Sequence, residues 1–124
     1  ESFIDGVVET AKRRGYVFNY MGRKCHFSNP SHAFKAPNHL IQGSCGDIMR
    51  KCLIDIDGYL RGRRSKLILS VHDEAVIEVH KDEHEIVPEI KKIMESAYPY
   101  RHLPMKVEVD YSETSWQDKR RFVI

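Results

Sequence analysis

Hydrophobic residues recur every three or four positions in three stretches of the chain, and this spacing is typical of amphipathic helices. The stretches cover residues 2–14, 38–60 and 82–98. Gly15 directly follows the first stretch, and glycine is a common residue at a helix end. Asp82 opens the third stretch, where its side chain can cap the first turn. The pattern therefore predicts three helices, of which the second is the longest.

The second predicted helix has a hydrophobic stripe and two unexpected glycines. The stripe is expected to be buried, and it comprises Ile41, Cys45, Ile48, Cys52, Ile56 and Tyr59. Gly43 and Gly46 should each weaken the helix by roughly 1 kcal/mol relative to alanine. We therefore expect another backbone, or a ligand, to approach the helix closely at these two positions.

Short apolar runs between the predicted helices indicate strands. Residues 16–27 predict two strands around a glycine turn, and residues 28–37 predict a loop. Residues 67–71 and 75–80 predict a second hairpin, and residues 105–110 alternate as a last strand. The sequence therefore predicts an α+β fold, in which a small antiparallel sheet containing the second hairpin packs against about three helices.

The composition is that of a soluble globular protein, with 41% hydrophobic and 31% charged residues. No apolar run approaches the roughly eighteen residues needed to span a bilayer, and the acidic start "ESFIDGVVET" does not resemble a signal peptide. Three cysteines without a CxxC pair indicate a reducing compartment. Cys45 and Cys52 are expected to be small core residues. Cys25 and His26 lack two further zinc ligands at a familiar spacing.

Positive charge is clustered although the net charge is only +2. The two basic runs are "RGRRSK" at 61–66 and "DKRRF" at 118–122. Each run is either a solvated loop or tail, or a set of phosphate contacts. The sequence leaves both interpretations open.

The predicted second hairpin carries three ionisable residues at its tip, His72, Asp73 and Glu74. Turns favour aspartate, but usually beside glycine or asparagine, and neither is present here. Two adjacent carboxylates disfavour ionisation of both unless a cation compensates them. Magnesium takes a few carboxylate oxygens and leaves room for waters and substrate phosphates. The tip is therefore either a metal-binding or catalytic site, or a solvated polar turn.

Two amides lie four residues apart at the start of the long predicted helix. Asn38 and Gln42 should project from one side, with Lys35 one turn earlier if the helix extends that far. Side-chain donors of this kind can bind the acceptors that every base pair presents in the minor groove. Ordinary surface polarity is the alternative interpretation.

Several segments together resemble the C-terminal part of the family A (DNA polymerase I-like) DNA polymerases. "LSVHDEAVIEVHKDE" is similar to the third conserved palm motif, and "NHLIQGSCGDIMRK" is similar to a helix start of that family. "GYVFNYMGRKCHF" resembles the segment that precedes this helix, and "KVEVDYSETSW" resembles the closing strand. The segments occur in the family's order over essentially the whole chain. The short connection after "GRKCHF" is similar to that of phage members.

The resemblance implies a role for each matching residue. Asp73 would be a ligand of two catalytic magnesium ions, and Glu74 would assist at or near that site. His72 would touch the primer strand near its 3′ end. The remaining implied contacts are with primer–template DNA, and they come from Arg23, Lys35, Asn38 and Gln42. The implied reaction is attack of the primer 3′-hydroxyl on the α-phosphate of a dNTP.

The resemblance also implies parts that the chain lacks. The family needs a second metal-binding aspartate and a fingers helix that holds the triphosphate, and both come earlier in its sequence. The chain moreover begins almost directly inside a helix. We therefore expect residues 1–124 to be one incomplete palm domain that is inactive alone. Its expected partner is an N-terminal polymerase piece, in the cytoplasm of a bacterium or phage-infected host.

Two other functions stay open at this point. The first is a metal-dependent nuclease or phosphatase that uses Asp73 and Glu74. The second is a non-catalytic nucleic-acid-binding module descended from a polymerase, whose duplex affinity would fall steeply with salt.

Overall fold

The computed structural model describes residues 2–98, 102 and 104–123. Over these residues the chain forms three α-helices and six short strands. The helices are α1 Phe3–Arg14, α2 Ala36–Leu60 and α3 Ile86–Ser96. The strands are β1 Tyr16–Phe18, β2 Lys24–His26, β3 Lys66–Val71, β4 Glu74–Glu78, β5 Val109–Tyr111 and β6 Arg120–Phe122. The predicted α+β class is confirmed.

The strands pair as three two-stranded antiparallel ribbons, β1–β2, β3–β4 and β5–β6. Within the described residues they do not join into the single small sheet that was expected. The chain divides into two compact units, residues 1–50 and 51–124.

The first helix ends at the predicted glycine and begins after a serine cap that was not predicted. The Ser2 hydroxyl accepts a hydrogen bond from the Ile4 backbone N–H at 3.2 Å, which caps the first turn. Gly15 adopts a φ of 75°, and its N–H donates to the Ala11 carbonyl. The core of residues 1–50 is formed by Ala11 of α1 together with Val17, Phe27, Ala33 and Ala36.

The loop expected at residues 28–37 is largely helical. Pro30–Lys35 form a 3-10 helix, and α2 follows immediately at Ala36. The Asn29 side chain accepts from the Ser31 N–H at 2.9 Å, and proline in the first turn needs no hydrogen-bond partner for its nitrogen. Asparagine followed by proline is therefore a helix start here, although it also fits a turn.

The buried stripe of α2 differs from the predicted one in its first half. The buried residues at a constant spacing of four are Ala36, Leu40, Ser44, Ile48, Cys52, Ile56 and Leu60. Ile41 is 50% exposed and Cys45 is also exposed, so these two predictions are wrong. Ser44 takes the core position because its hydroxyl donates to the Leu40 carbonyl and accepts the Tyr20 N–H.

The core of residues 51–124 is formed by one face of α3 and the end of α2. Its buried side chains are Ile56, Leu60, Ile86 and Ile90. The helix expected from Asp82 begins only at Ile86. Pro88 therefore lies in the first turn, where the missing N–H removes no helical hydrogen bond. Asp82 instead forms an ion pair with Arg64 at 3.0 Å.

The last ribbon lies partly in the basic tail. The strand expected over 105–110 begins only at Val109, and its partner β6 was not predicted. Arg121 of β6 is 2.6 Å from a Glu108 carboxylate oxygen and 3.1 Å from one of Asp110. The second basic run therefore lies partly in a strand with acidic neighbours, and its residues are exposed to solvent.

Glu83 ties the loop before β3 to the loop after β4. Its carboxylate accepts hydrogen bonds from the Arg64 N–H, the Ser65 N–H and the Ser65 hydroxyl at 3.0, 2.8 and 2.6 Å. The fully buried Ser65 hydroxyl accepts the His80 N–H in turn. The hydrogen bond from the Ser65 hydroxyl, followed by the backbone N–H of Arg64, lowers the pKa of Glu83 from 4.5 to about 2.

We expect Glu83→Gln to lower the melting temperature at neutral pH and to flatten its dependence on acid. The folded pKa of Glu83 lies below the unfolded value, so the carboxylate contributes stability above about pH 4.5 that is lost as the pH falls toward 2. Melting followed by circular dichroism should therefore show the gap between wild type and variant narrowing with acid. Glu85→Gln is the control, since Glu85 is 65% exposed and 3.7 Å from Arg63. A constant gap would contradict the role of Glu83.

Candidate functional site

The β3–β4 hairpin ends in a two-residue turn, His72–Asp73. Val71 pairs with Glu74, so Glu74 is the first residue of β4 rather than part of the tip as expected. His72 has a φ of 52°, a left-handed conformation that two-residue hairpin turns require but usually obtain from glycine or asparagine. Histidine tolerates this conformation better than most residues, at some cost in strain. The paired strands thus hold the turn in a defined position.

The carboxylates of Asp73 and Glu74 are exposed to solvent at this turn. The Lys119 ammonium lies 3.7 Å from a Glu74 carboxylate oxygen. Exposed carboxylates fit magnesium, which binds one or two of them and completes its shell with waters and substrate phosphates. Among the described residues, three metal-binding side chains do not come together anywhere. Asp73 and Glu74 therefore fit a part of a magnesium site.

The two amides expected to bind DNA lie in the other unit, on the first turns of α2. Asn38 and Gln42 are both exposed and four residues apart, so they project from the same side. Lys35 is exposed and ends the 3-10 helix, so it precedes α2 instead of extending it. Its ammonium lies 5.7 Å from the centre of the Phe34 ring.

Arg23 is anchored by a carboxylate that the sequence did not reveal. Its Nε donates to Asp47 Oδ2 at 2.8 Å. Asp47 also accepts from Asn19 Nδ2 at 2.5 Å, and its Oδ1 accepts from Arg50 Nη1 at 2.6 Å. These bonds, that of Arg23 foremost, lower the pKa of Asp47 and keep it ionised. The spacing of Asp47 and Arg50 permits an ion pair on a helix, but the tertiary contact with Arg23 has no sequence signal.

The helix glycines have different surroundings from those expected. A Cβ on Gly43 would lie 3.3 Å from Arg23 Nη2 and 3.7 Å from Asn19 Nδ2. A Cβ on Gly46 would lie 3.7 Å from Arg50 Nη1, an ordinary contact. In the described part of the chain, side chains approach these positions, and the predicted backbone neighbour is not found.

Acidic partners also surround the first basic run. Arg61 is 3.6 Å from Asp57, Arg63 is 3.7 Å from Glu85, and the Arg64 pair is described above. These contacts are intramolecular, but the side chains of Arg61 and Arg64 are 81% and 60% exposed, so both interpretations of the run stay open. No helix in the described residues is long and apolar enough to cross a membrane.

Comparison with known proteins places these features in one family. The model of DNA polymerase family A matches residues 1–118. The chain belongs to DNA polymerase family A. DNA polymerase I of Geobacillus stearothermophilus is 36% identical over 135 residues, covering 97% of this chain and 15% of that protein. The thermostable DNA polymerase I of Thermus aquaticus is 30% identical over 122 residues, covering 90% of this chain and 14% of that protein.

A solved structure has the same fold. It is the POL domain of Pol1 from M. smegmatis in complex with DNA primer-template and dNTP. The two chains superpose with a TM-score of 0.74 and 30% identity, over 83% of this family A chain and 20% of the other. The resemblance inferred from the sequence motifs is therefore confirmed. The chain spans about 15% of the length of the curated relatives it matches.

Proposed function

We propose that this family A chain is the C-terminal palm segment of a DNA-directed DNA polymerase. The observation that carries the proposal is the pair of exposed carboxylates, with Asp73 in the turn of a hairpin and Glu74 directly after it, in a chain of this family. The proposed substrates are a primer–template duplex and a dNTP. The M. smegmatis domain, described with both, supports this assignment.

The hairpin turn would hold the metal and the primer end. Asp73 and Glu74 would bind magnesium, which when present activates the primer hydroxyl and steadies the departing pyrophosphate. Lys119 partly compensates the charge of Glu74. His72 occupies the same turn and would contact the primer strand near its 3′ end. The pairing of Val71 with Glu74 leaves His72 and Asp73 as the two residues of the turn.

The amide side of α2 would bind the newly formed duplex. The NH₂ groups of Asn38 and Gln42 can donate to adenine N3, to thymine O2 or to the equivalent acceptors of G·C pairs, so that every base pair offers an acceptor in the minor groove. Lys35 and Arg23 would contact phosphates. Contacts of this type suit a polymerase, because it must hold a duplex without selecting its sequence.

The activity would need an N-terminal polymerase piece. That piece would supply the second metal-binding aspartate and the fingers residues that hold the triphosphate. We place the assembled enzyme in the cytoplasm of a bacterium or of a phage-infected cell.

We expect a chimera to extend a primer when this chain replaces the matching segment of the G. stearothermophilus polymerase. The hairpin carboxylates would then meet the residues that the relative supplies. Extension of a labelled primer in magnesium buffer measures the activity, and cooperative melting confirms folding. A folded chimera that binds primer–template but never extends it would count against the proposal.

The isolated chain separates the remaining alternatives. Magnesium-dependent cleavage of DNA by the 124 residues alone, abolished by Asp73→Ala, would indicate a nuclease. Salt-sensitive duplex binding that Asp73→Asn leaves unchanged, together with an inactive chimera, would indicate a binding module. The polymerase proposal expects neither cleavage nor extension from the isolated chain.

A further inference from the structure

Asn38 and Gln42 begin a row on α2 whose next position has no side chain. Residues four apart lie roughly one turn along the same side of a helix, so the row continues at Gly46. The space beside Gly46 is taken by Arg50, whose Nη1 lies 3.7 Å from the position of a Gly46 Cβ. The Arg50 guanidinium therefore continues the row of polar groups formed by Asn38 and Gln42 by one helical turn.

Asp47 fixes this guanidinium and a second one. Its Oδ1 accepts from Arg50 at 2.6 Å, and its Oδ2 accepts from Arg23 at 2.8 Å. The Asp47 side chain is only 14% exposed, whereas those of Arg50 and Arg23 are 68% and 54% exposed. Each arginine keeps further N–H groups for another acceptor, and the three charges sum to a net positive charge. One largely covered carboxylate, that of Asp47, therefore holds two exposed guanidinium groups in place.

We propose that Arg50 is a phosphate contact of the bound duplex and that Asp47 is the positioning residue that orients Arg50 together with Arg23. The proposal rests on the proposed function, since it takes the Asn38–Gln42 side of α2 to face the duplex. A Cβ at Gly46 would be in ordinary contact with the Arg50 guanidinium at 3.7 Å, whereas a larger side chain there would occupy its place along the row. The ligand is the DNA backbone, because guanidinium groups bind phosphate oxygens through paired N–H donors.

The sign of the Asp47→Asn effect tests the proposal. Asparagine removes one negative charge, so electrostatics alone would tighten binding to a labelled DNA duplex. The proposal expects weaker binding, by about tenfold, because both arginines lose their anchor. Fluorescence anisotropy of the 124-residue chain between about 50 and 200 mM salt measures it. Arg50→Gln should reduce the salt slope by about 1, whereas Lys51→Gln removes the same charge and should weaken binding less.

A double-mutant comparison separates positioning from mere stability. Asp47→Asn should have little further effect on affinity once Arg23 and Arg50 are both glutamine. If Asp47→Asn does not fold, Gly46→Leu provides a second test, because leucine favours a helix and fills the space of the Arg50 guanidinium. Gly58→Leu is its control, since a Cβ there meets no atom within 4 Å. Weaker binding by Gly46→Leu alone supports the proposal.

The outcomes for this inference and for the proposed function differ. If wild type does not bind the duplex, or if Gln42→Ala leaves the affinity unchanged, the proposed duplex contact itself fails. If Gln42→Ala weakens binding while Asp47→Asn tightens it, only the positioning role is overturned. Equal affinities for Arg50→Gln and Lys51→Gln would likewise overturn the phosphate contact.

Discussion

Asp73→Asn in the chimeric polymerase is expected to slow primer extension by roughly a hundredfold to a thousandfold, the scale of losing one preorganised electrostatic contact. Asparagine keeps the shape of the side chain but removes the charge that attracts magnesium. The Asp73 side chain is exposed on the turn, so the melting temperature should not change. Single-turnover extension with saturating dNTP measures the chemical step, and a duplex-binding assay confirms that DNA still binds.

Asp57→Asn provides the control for this loss of charge. Asp57 lies on α2, is 63% exposed and is 3.6 Å from Arg61, so its variant should change the extension rate by no more than about twofold. The extension rate of the Glu74→Gln chimera should lie between those of the Asp73→Asn and Asp57→Asn chimeras, because Lys119 already partly compensates the charge of Glu74. Wild-type extension by the Asp73→Asn chimera would remove the basis for a metal at the turn.

Ile56→Ala is expected to destabilise the chain by about 2–5 kcal/mol. Ile56 is 0% exposed and packs with Leu60, Ile86 and Ile90, so truncation leaves a cavity among side chains that cannot all relax into it. A loss of this size is a large part of the roughly 5–15 kcal/mol that stabilises an ordinary domain. Urea unfolding followed by circular dichroism gives the free energy of unfolding.

Ile54→Ala tests whether the cost comes from burial. Ile54 lies on the same helix but is 70% exposed, so its truncation should change stability by about 0.5 kcal/mol or less. Similar losses for the two variants would show that the core is not where the structure places it.

Local signals were sufficient for some elements and insufficient for others. The first helix was predicted at 2–14 and found at Phe3–Arg14, because a capping serine and a stop glycine act on neighbouring residues. The buried stripe of α2 was misplaced at Ile41 because Ser44 is polar, and only its contacts with Leu40 and Tyr20 make it a core residue. Strand β6 was missed because its partner lies across an intervening loop.

The candidate site likewise contains residues that the sequence could place and residues that it could not. His72, Asp73 and Glu74 are consecutive, so the sequence alone could place them at one hairpin, although it could not show the left-handed φ of His72. Asp47 and Arg23 are separated by 24 residues and meet only in the folded unit. The resemblance therefore implied a DNA contact for Arg23 without revealing its anchor. Hydrophobic periodicity predicts helices and strands, but it does not predict which charged residues pair in the tertiary structure.

The unequal exposure of the thiols gives the chain a selective chemical handle. Cys52 is buried, and burial raises the pKa of its thiol, so it reacts slowly with thiol reagents. Cys45 is exposed on α2, three residues after Gln42 and therefore on a neighbouring part of the same surface. Cys25 is partly exposed, so a Cys25→Ser variant is needed to direct a maleimide dye to Cys45. The dye would then report on the amide row by its fluorescence while leaving the packed interior untouched.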